Sequence, residues 1–170
     1  ELARAFLIGD GRLASSDDKI NEQNIRPIYT DSELFSVRVA VTKGATDTEH
    51  AKNFIKSVIK SRKLYKGSGN PDLYTTEDML TEMLMIEDTT GRVIYDTVEK
   101  LRTALRVNSI VTVEPMVGLT RTDTAGKTQA LDGILVNLTD YNVGADKGGE
   151  VNMFDDFDID YNQYKYLMET

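Results

Sequence analysis

The stretch LFSVRVAVTKGATDTEHAKNFIKSVI, residues 34–59, changes its hydrophobic period halfway along. Phe35, Val37, Val39 and Val41 alternate with Ser36, Arg38 and Ala40. Successive side chains of an extended chain point to opposite faces, so the alternation predicts a half-buried strand. Beyond Gly44 the apolar residues recur as Ala51, Phe54, Ile55, Val58 and Ile59, the i, i+3, i+4, i+7, i+8 stripe of a helix that buries one face. Between the two, Thr46-Asp47-Thr48-Glu49 matches a capping box, whose hydroxyl and carboxylate satisfy backbone donors left open at a helix start. A strand running at once into a capped helix predicts mixed α/β order.

Reading outward extends the pattern. ELARAFLI (1–8) puts Leu2, Ala5 and Phe6 on one helical face, and Gly9-Asp10-Gly11 ends it. Residues 12–32 are polar and turn-rich, with Pro27 favouring an extended segment. YKGSGNPD (65–72) predicts a mobile loop. A second capped helix is expected from Thr75 or Thr76 with Met79, Leu80, Met83 and Leu84 inward, and a third over 96–106 through Val98, Leu101, Ala104 and Leu105. Asp88-Thr89-Thr90-Gly91 makes a turn between them. Ile110 to Glu114 reads as a strand ended by Pro115, 117–130 as a polar hairpin or loop, and Ile134 to Leu138 as a buried strand. TDYNVGADKGGE (139–150) is then a long connection to a last strand at 151–170. No internal repeat appears. The expected fold class is α+β (mixed α/β), a central sheet flanked by helices in one compact domain with terminal extensions.

Composition narrows the chemistry. The 170 residues include no cysteine, which removes disulfides, thiol catalysis and cysteine–zinc sites. The single histidine, His50, stands without a neighbouring ligand and reads as a solvated surface residue. A net charge of -8 argues against a duplex nucleic-acid reader, which needs a basic stripe to neutralise phosphates. No apolar run approaches the roughly 18 to 20 residues that span a bilayer, and no signal peptide is visible. The chain opens in a helical pattern without methionine and stops within a strand pattern, so it is expected to be part of a longer polypeptide.

Four apparent motifs were weighed against plainer readings. MFDDFDIDYNQYKYLMET (153–170) sets Asp158, Asp160, Asn162 and Glu169 at calcium-loop positions 1, 3, 5 and 12, but the required glycine at position 6 is Gln163. Alternation explains it better: Asp156, Asp158, Asp160 and Asn162 on one strand face, Phe157, Ile159 and Tyr161 on the other. Ala125-Gly126-Lys127-Thr128 echoes a phosphate-binding loop, yet Arg121 stands where its first glycine belongs. GADKGGE (144–150) could make an anion nest but reads as a turn. Met79, Met83 and Met85 read as core filling. Paired carboxylates for glycoside chemistry stay open, because spatial pairing is invisible in one sequence. No catalytic, cofactor-binding or metal residue is assigned, and an enzyme is not expected.

ELARAFLIGDGR (1–12), IRPIYTD (25–31), EDTTGRVIYDTVEKLRTALRV (87–107) and ILVNLTDYNVGADKGGEVNMFDDFDIDYNQYKYLMET (134–170) together resemble tailed-phage major capsid proteins of the Hong-Kong-97-type fold. The resemblance rests most on Gly9, Asp10, Gly11 and Arg12, on Asp140, Tyr141, Gly144, Lys147, Gly148 and Gly149, and on Phe157, Asp158 and Asp160. It implies a peripheral-domain flank at 1–12, an axial domain at 13–150, and a strand at 151–170 returning to the peripheral domain. It further implies hexamers and pentamers of one protein in an icosahedral shell enclosing DNA without sequence-specific binding. Scaffold, portal or decoration proteins are implied as further partners, with no membrane, and the locations are the virion and, during assembly, the host cytoplasm. The acidic balance would then put carboxylates on the DNA-facing side. A cellular nanocompartment shell protein of the encapsulin kind is the alternative, and an acidic metal-dependent enzyme using residues 155–160 a more distant one.

Overall fold

In a computed structural model, the structure describes residues 6–9, 27–122 and 126–140, together with the backbone of 152–158 and 163–169. The chain divides into two units, Glu1–Asp140 and Tyr141–Thr170. Helix and strand are mixed, as the α+β class requires.

In the first unit, helices α1 (Asp47–Ser61), α2 (Glu77–Leu84) and α3 (Val98–Leu105) each begin on a threonine. The hydroxyls of Thr46, Thr76 and Thr97 accept from the amides of Glu49, Met79 and Lys100 at 3.2, 3.3 and 3.3 Å. Each cap replaces water on one orphan donor, a contribution of about 1 kcal/mol. In α1 the glutamate half of the box reaches one residue further than expected: Glu49 accepts from the Ala45 amide at 2.8 Å. Its apolar stripe buries Ala51, Phe54, Ile55 and Val58, but Ile59 is 45% exposed.

Strands β1 (Asp72–Thr75), β2 (Ile110–Thr112) and, after the β3 (Thr120–Thr122) and β4 (Thr128–Ala130) hairpin, β5 (Gly133–Val136) complete the unit. The main sheet runs β2-β1-β5, so β1 is its centre. β2 is parallel to β1, with Leu73 opposite Ile110, and the crossover between them carries α2 and α3. β5 is antiparallel, with Leu73 opposite Leu135 and Tyr74 opposite Ile134. Leu73 joins the core made by the three helices, with Phe54, Met83, Leu101 and Leu105. Tyr74 belongs to a second cluster with Leu7, Met116 and Ile134. The helical turn at 6–8 ends at Gly9, whose φ of +92° suits glycine, and Ile28 donates back to the Phe6 carbonyl at 2.8 Å.

Three expectations need correction. Residues 34–41 form no strand: no strand of the described residues pairs with them, and Leu34, Phe35, Val37 and Val39 are 89, 71, 62 and 43% exposed. The loop predicted over 65–72 is tied down, and its last residue already begins the central strand. The second unit is a hairpin rather than one strand: β6 (Asn152–Asp158) lies antiparallel to β7 (Gln163–Glu169), with Asp158 opposite Gln163. No helix among the described residues is long and apolar enough to cross a membrane.

Candidate functional site

The densest polar cluster joins loop 65–70 to the turn after β5. The Asp140 carboxylate accepts from the Ser68 amide at 2.7 Å and from the Ser68 hydroxyl. The Asn137 amide donates to the Ser68 carbonyl and hydroxyl, both at 3.1 Å, and the Tyr65 hydroxyl donates to the same carbonyl at 3.1 Å. The Arg62 guanidinium lies 5.2 Å from the Tyr65 ring centre and donates to Asn70 at 3.2 Å. Burial, and then the Asp140 carboxylate, raise the Tyr65 phenol above its ordinary value, against the opposing Arg62 charge. Most of these interactions converge on Ser68, whose amide, carbonyl and hydroxyl are all engaged. The cluster is a latch.

A second pair corrects the reading of His50. Its Nε2 lies 3.1 Å from the Asp132 carboxylate, and the two side chains are only 17 and 20% exposed. His50 Nδ1 is buried and has no hydrogen-bond partner among the described residues. The Thr75 hydroxyl, fully buried, donates to the Asp132 carbonyl at 2.7 Å. Gly133 must follow, because a Cβ there would sit 2.9 Å from the Phe54 ring and 3.0 Å from the Tyr74 carbonyl. The pair fastens α1 to the entry of β5.

Two surfaces stand out besides. One is segment 34–41, whose backbone donors from Val37 to Lys43 have no partner among the described residues. Arg38 braces it, donating to Glu33 at 3.0 Å and to the Asp31 carbonyl at 2.8 Å, while Val41 packs on the helical core. The other is the exposed side of α1, rich in lysine, which sequence reading missed. Its signal was an acid-free interval from His50 to Pro71, hidden by the overall negative charge.

The signature residues divide in the same way. Gly9 ends the first helical turn, Asp140 is the acceptor of the latch, and Phe157 and Asp158 lie in β6 opposite Tyr164 and Gln163. Asp10, Gly11, Arg12, Tyr141, Gly144, Lys147, Gly148, Gly149 and Asp160 lie outside the described residues, as does the anion-nest stretch 144–150. Among the described residues no group of three His, Asp or Glu is placed to hold a metal ion. What the geometry defines is a mixed α+β chain with polar clusters that fasten backbone and with surfaces left uncovered among the described residues. Compared with family models, with curated proteins and with solved structures, the chain matches none.

Proposed function

We propose that this chain is a structural subunit that assembles with copies of itself into a closed shell, in the manner of the tailed-phage major capsid proteins its sequence resembles. The observation that carries the reading is segment 34–41. It has the alternation of a strand, exposed apolar side chains at Leu34, Phe35, Val37 and Val39, and backbone donors from Val37 to Val41 without a partner among the described residues, which together describe half of an interface. A strand-forming segment gains most when another chain's sheet edge or apolar face covers it. The main sheet offers such edges, since β2 and β5 each have one neighbour among the described residues. The described residues mix helix and strand, as the α+β class requires. In this reading the function is binding between copies, repeated until the shell closes around DNA, with hexamers and pentamers as its units.

Electron microscopy of the product of the complete reading frame tests the proposal. Closed icosahedral particles are expected, and DNA or enclosed protein inside them separates a virion from a nanocompartment. A protein that stays monomeric at high concentration would overturn the reading.

A further inference from the structure

We propose that the lysine-bearing side of α1 is a ridge that docks into the carboxylate-lined concavity of a second copy of this chain. The inference rests on the self-assembly reading and assigns it two surfaces. Residues 50–71 hold Lys52, Lys56, Lys60, Arg62, Lys63 and Lys66 and no carboxylate. Taking these six positive charges from the net of -8 leaves -14 on the rest of the chain. Lys52, Lys56 and Lys60 recur every fourth residue, a rise of about 6 Å per step along one side of the helix. All five lysines are exposed, and none has a hydrogen bond or ion pair among the described residues. Lys56 has only lysine four residues away in either direction, an arrangement that repels within an isolated helix. Arg62, by contrast, is engaged by Asn70 and Tyr65. Ile59 and Leu64, 45 and 43% exposed, give the ridge an apolar strip.

The complementary surface lies where α2 begins and β2 ends. Glu77, Asp78 and Glu114 line an open concavity with Thr112 and Val117, and Val117 is 57% exposed. None of the ion pairs among the described residues uses these three carboxylates. Ridge and concavity therefore match in charge, and each carries exposed apolar side chains. A nucleic acid fits less well, because the -14 elsewhere would repel phosphates while it attracts the ridge of another copy, and phosphates make no use of Ile59 or Leu64. The two patches differ, so the contact is head-to-tail. Each added copy leaves one ridge and one concavity open, the geometry that generates rings where the rotation closes and open filaments where it does not.

Sedimentation velocity at low and high salt, with circular dichroism to confirm folding, tests the assignment on charge-reversed chains. Lys56→Glu with Lys60→Glu should weaken self-association at least tenfold, and so should Glu77→Lys with Asp78→Lys. Glu114→Lys, outside α2, serves if the latter pair fails to fold. An equimolar mixture of ridge-reversed and concavity-reversed chains should associate again, because every contact in it is once more between opposite charges. Wild-type association unchanged by the lysine reversals would overturn the ridge while leaving the shell reading to the particles seen by microscopy. A wild-type chain that stays monomeric at low salt would also overturn it. Capture of heparin or duplex DNA through Lys56 and Lys60 by such a monomer would assign the ridge to polyanions instead.

Discussion

Loop 65–72 and segment 34–41 exchange the roles their sequences suggest. The first is glycine-rich and polar, yet Ser68 alone is held by Asp140, Asn137 and Tyr65, and Pro71 behind it is buried. The second is apolar and strand-patterned, yet its donors from Val37 to Val41 have no partner among the described residues, and Leu34, Phe35, Val37 and Val39 are exposed. The difference lies in where partners are found. A short polar loop can satisfy its backbone from side chains brought close by the fold, whereas an extended apolar segment needs a whole neighbouring strand or face. The first requirement is met within the chain. The second is not met among the described residues, which is the root of the shell proposal.

The largest expected effect separates what each region holds. Leu73 is the residue that loop 65–72 delivers into the helical core, so Leu73→Ala should cost about 2 to 5 kcal/mol in a denaturant titration. Val37→Ala should change the stability of the dilute chain by less than about 0.5 kcal/mol. Equal costs would mean that segment 34–41 is packed within its own chain.

A smaller effect is expected at the latch. Asp140→Ala removes both oxygens that hold Ser68, at an exposed site, and should cost about 1 kcal/mol. Amide exchange at Ser68 should speed up while that of Leu73, whose amide donates to the Ser109 carbonyl, stays slow. Acceleration along the whole of β1 would show that the loop and the strand open as one.

The smallest effect is a titration. Because the fold raises the Tyr65 phenol, the neutral form is favoured, and this stabilisation is complete below the ordinary tyrosine value and lost as pH rises through the raised one. The tyrosinate absorbance of wild type minus that of Tyr65→Phe should therefore appear later than for an ordinary tyrosine. Ionisation in step with an ordinary tyrosine would contradict the raised Tyr65 phenol and its contact with Asp140.

Much of the helical half was legible. Hydroxyl caps and 3.6-residue stripes are local signals, so α1, α2 and α3 follow from the residues they contain, and the β3–β4 hairpin from its turn chemistry. The sheet's centre was not legible. Leu73, Tyr74 and Thr75 are all buried, one run facing two cores, so β1 lacks the alternation that marks a half-buried strand. Segment 34–41 has that alternation without the partner, since period two reports what a face would bury and not what covers it. His50 and Asp132 are far apart in the chain, and only the fold joins them. The lysine ridge was visible as an acid-free interval but masked by summing charge over the chain.

The central claim, that a neighbouring copy completes segment 34–41, is tested most directly by hydrogen exchange of the Val37 to Val41 amides in dilute and in assembled protein. These amides are expected to exchange fast in the dilute chain and to become protected on assembly. Fast exchange in both states, or protection already present in the monomer, would contradict the account.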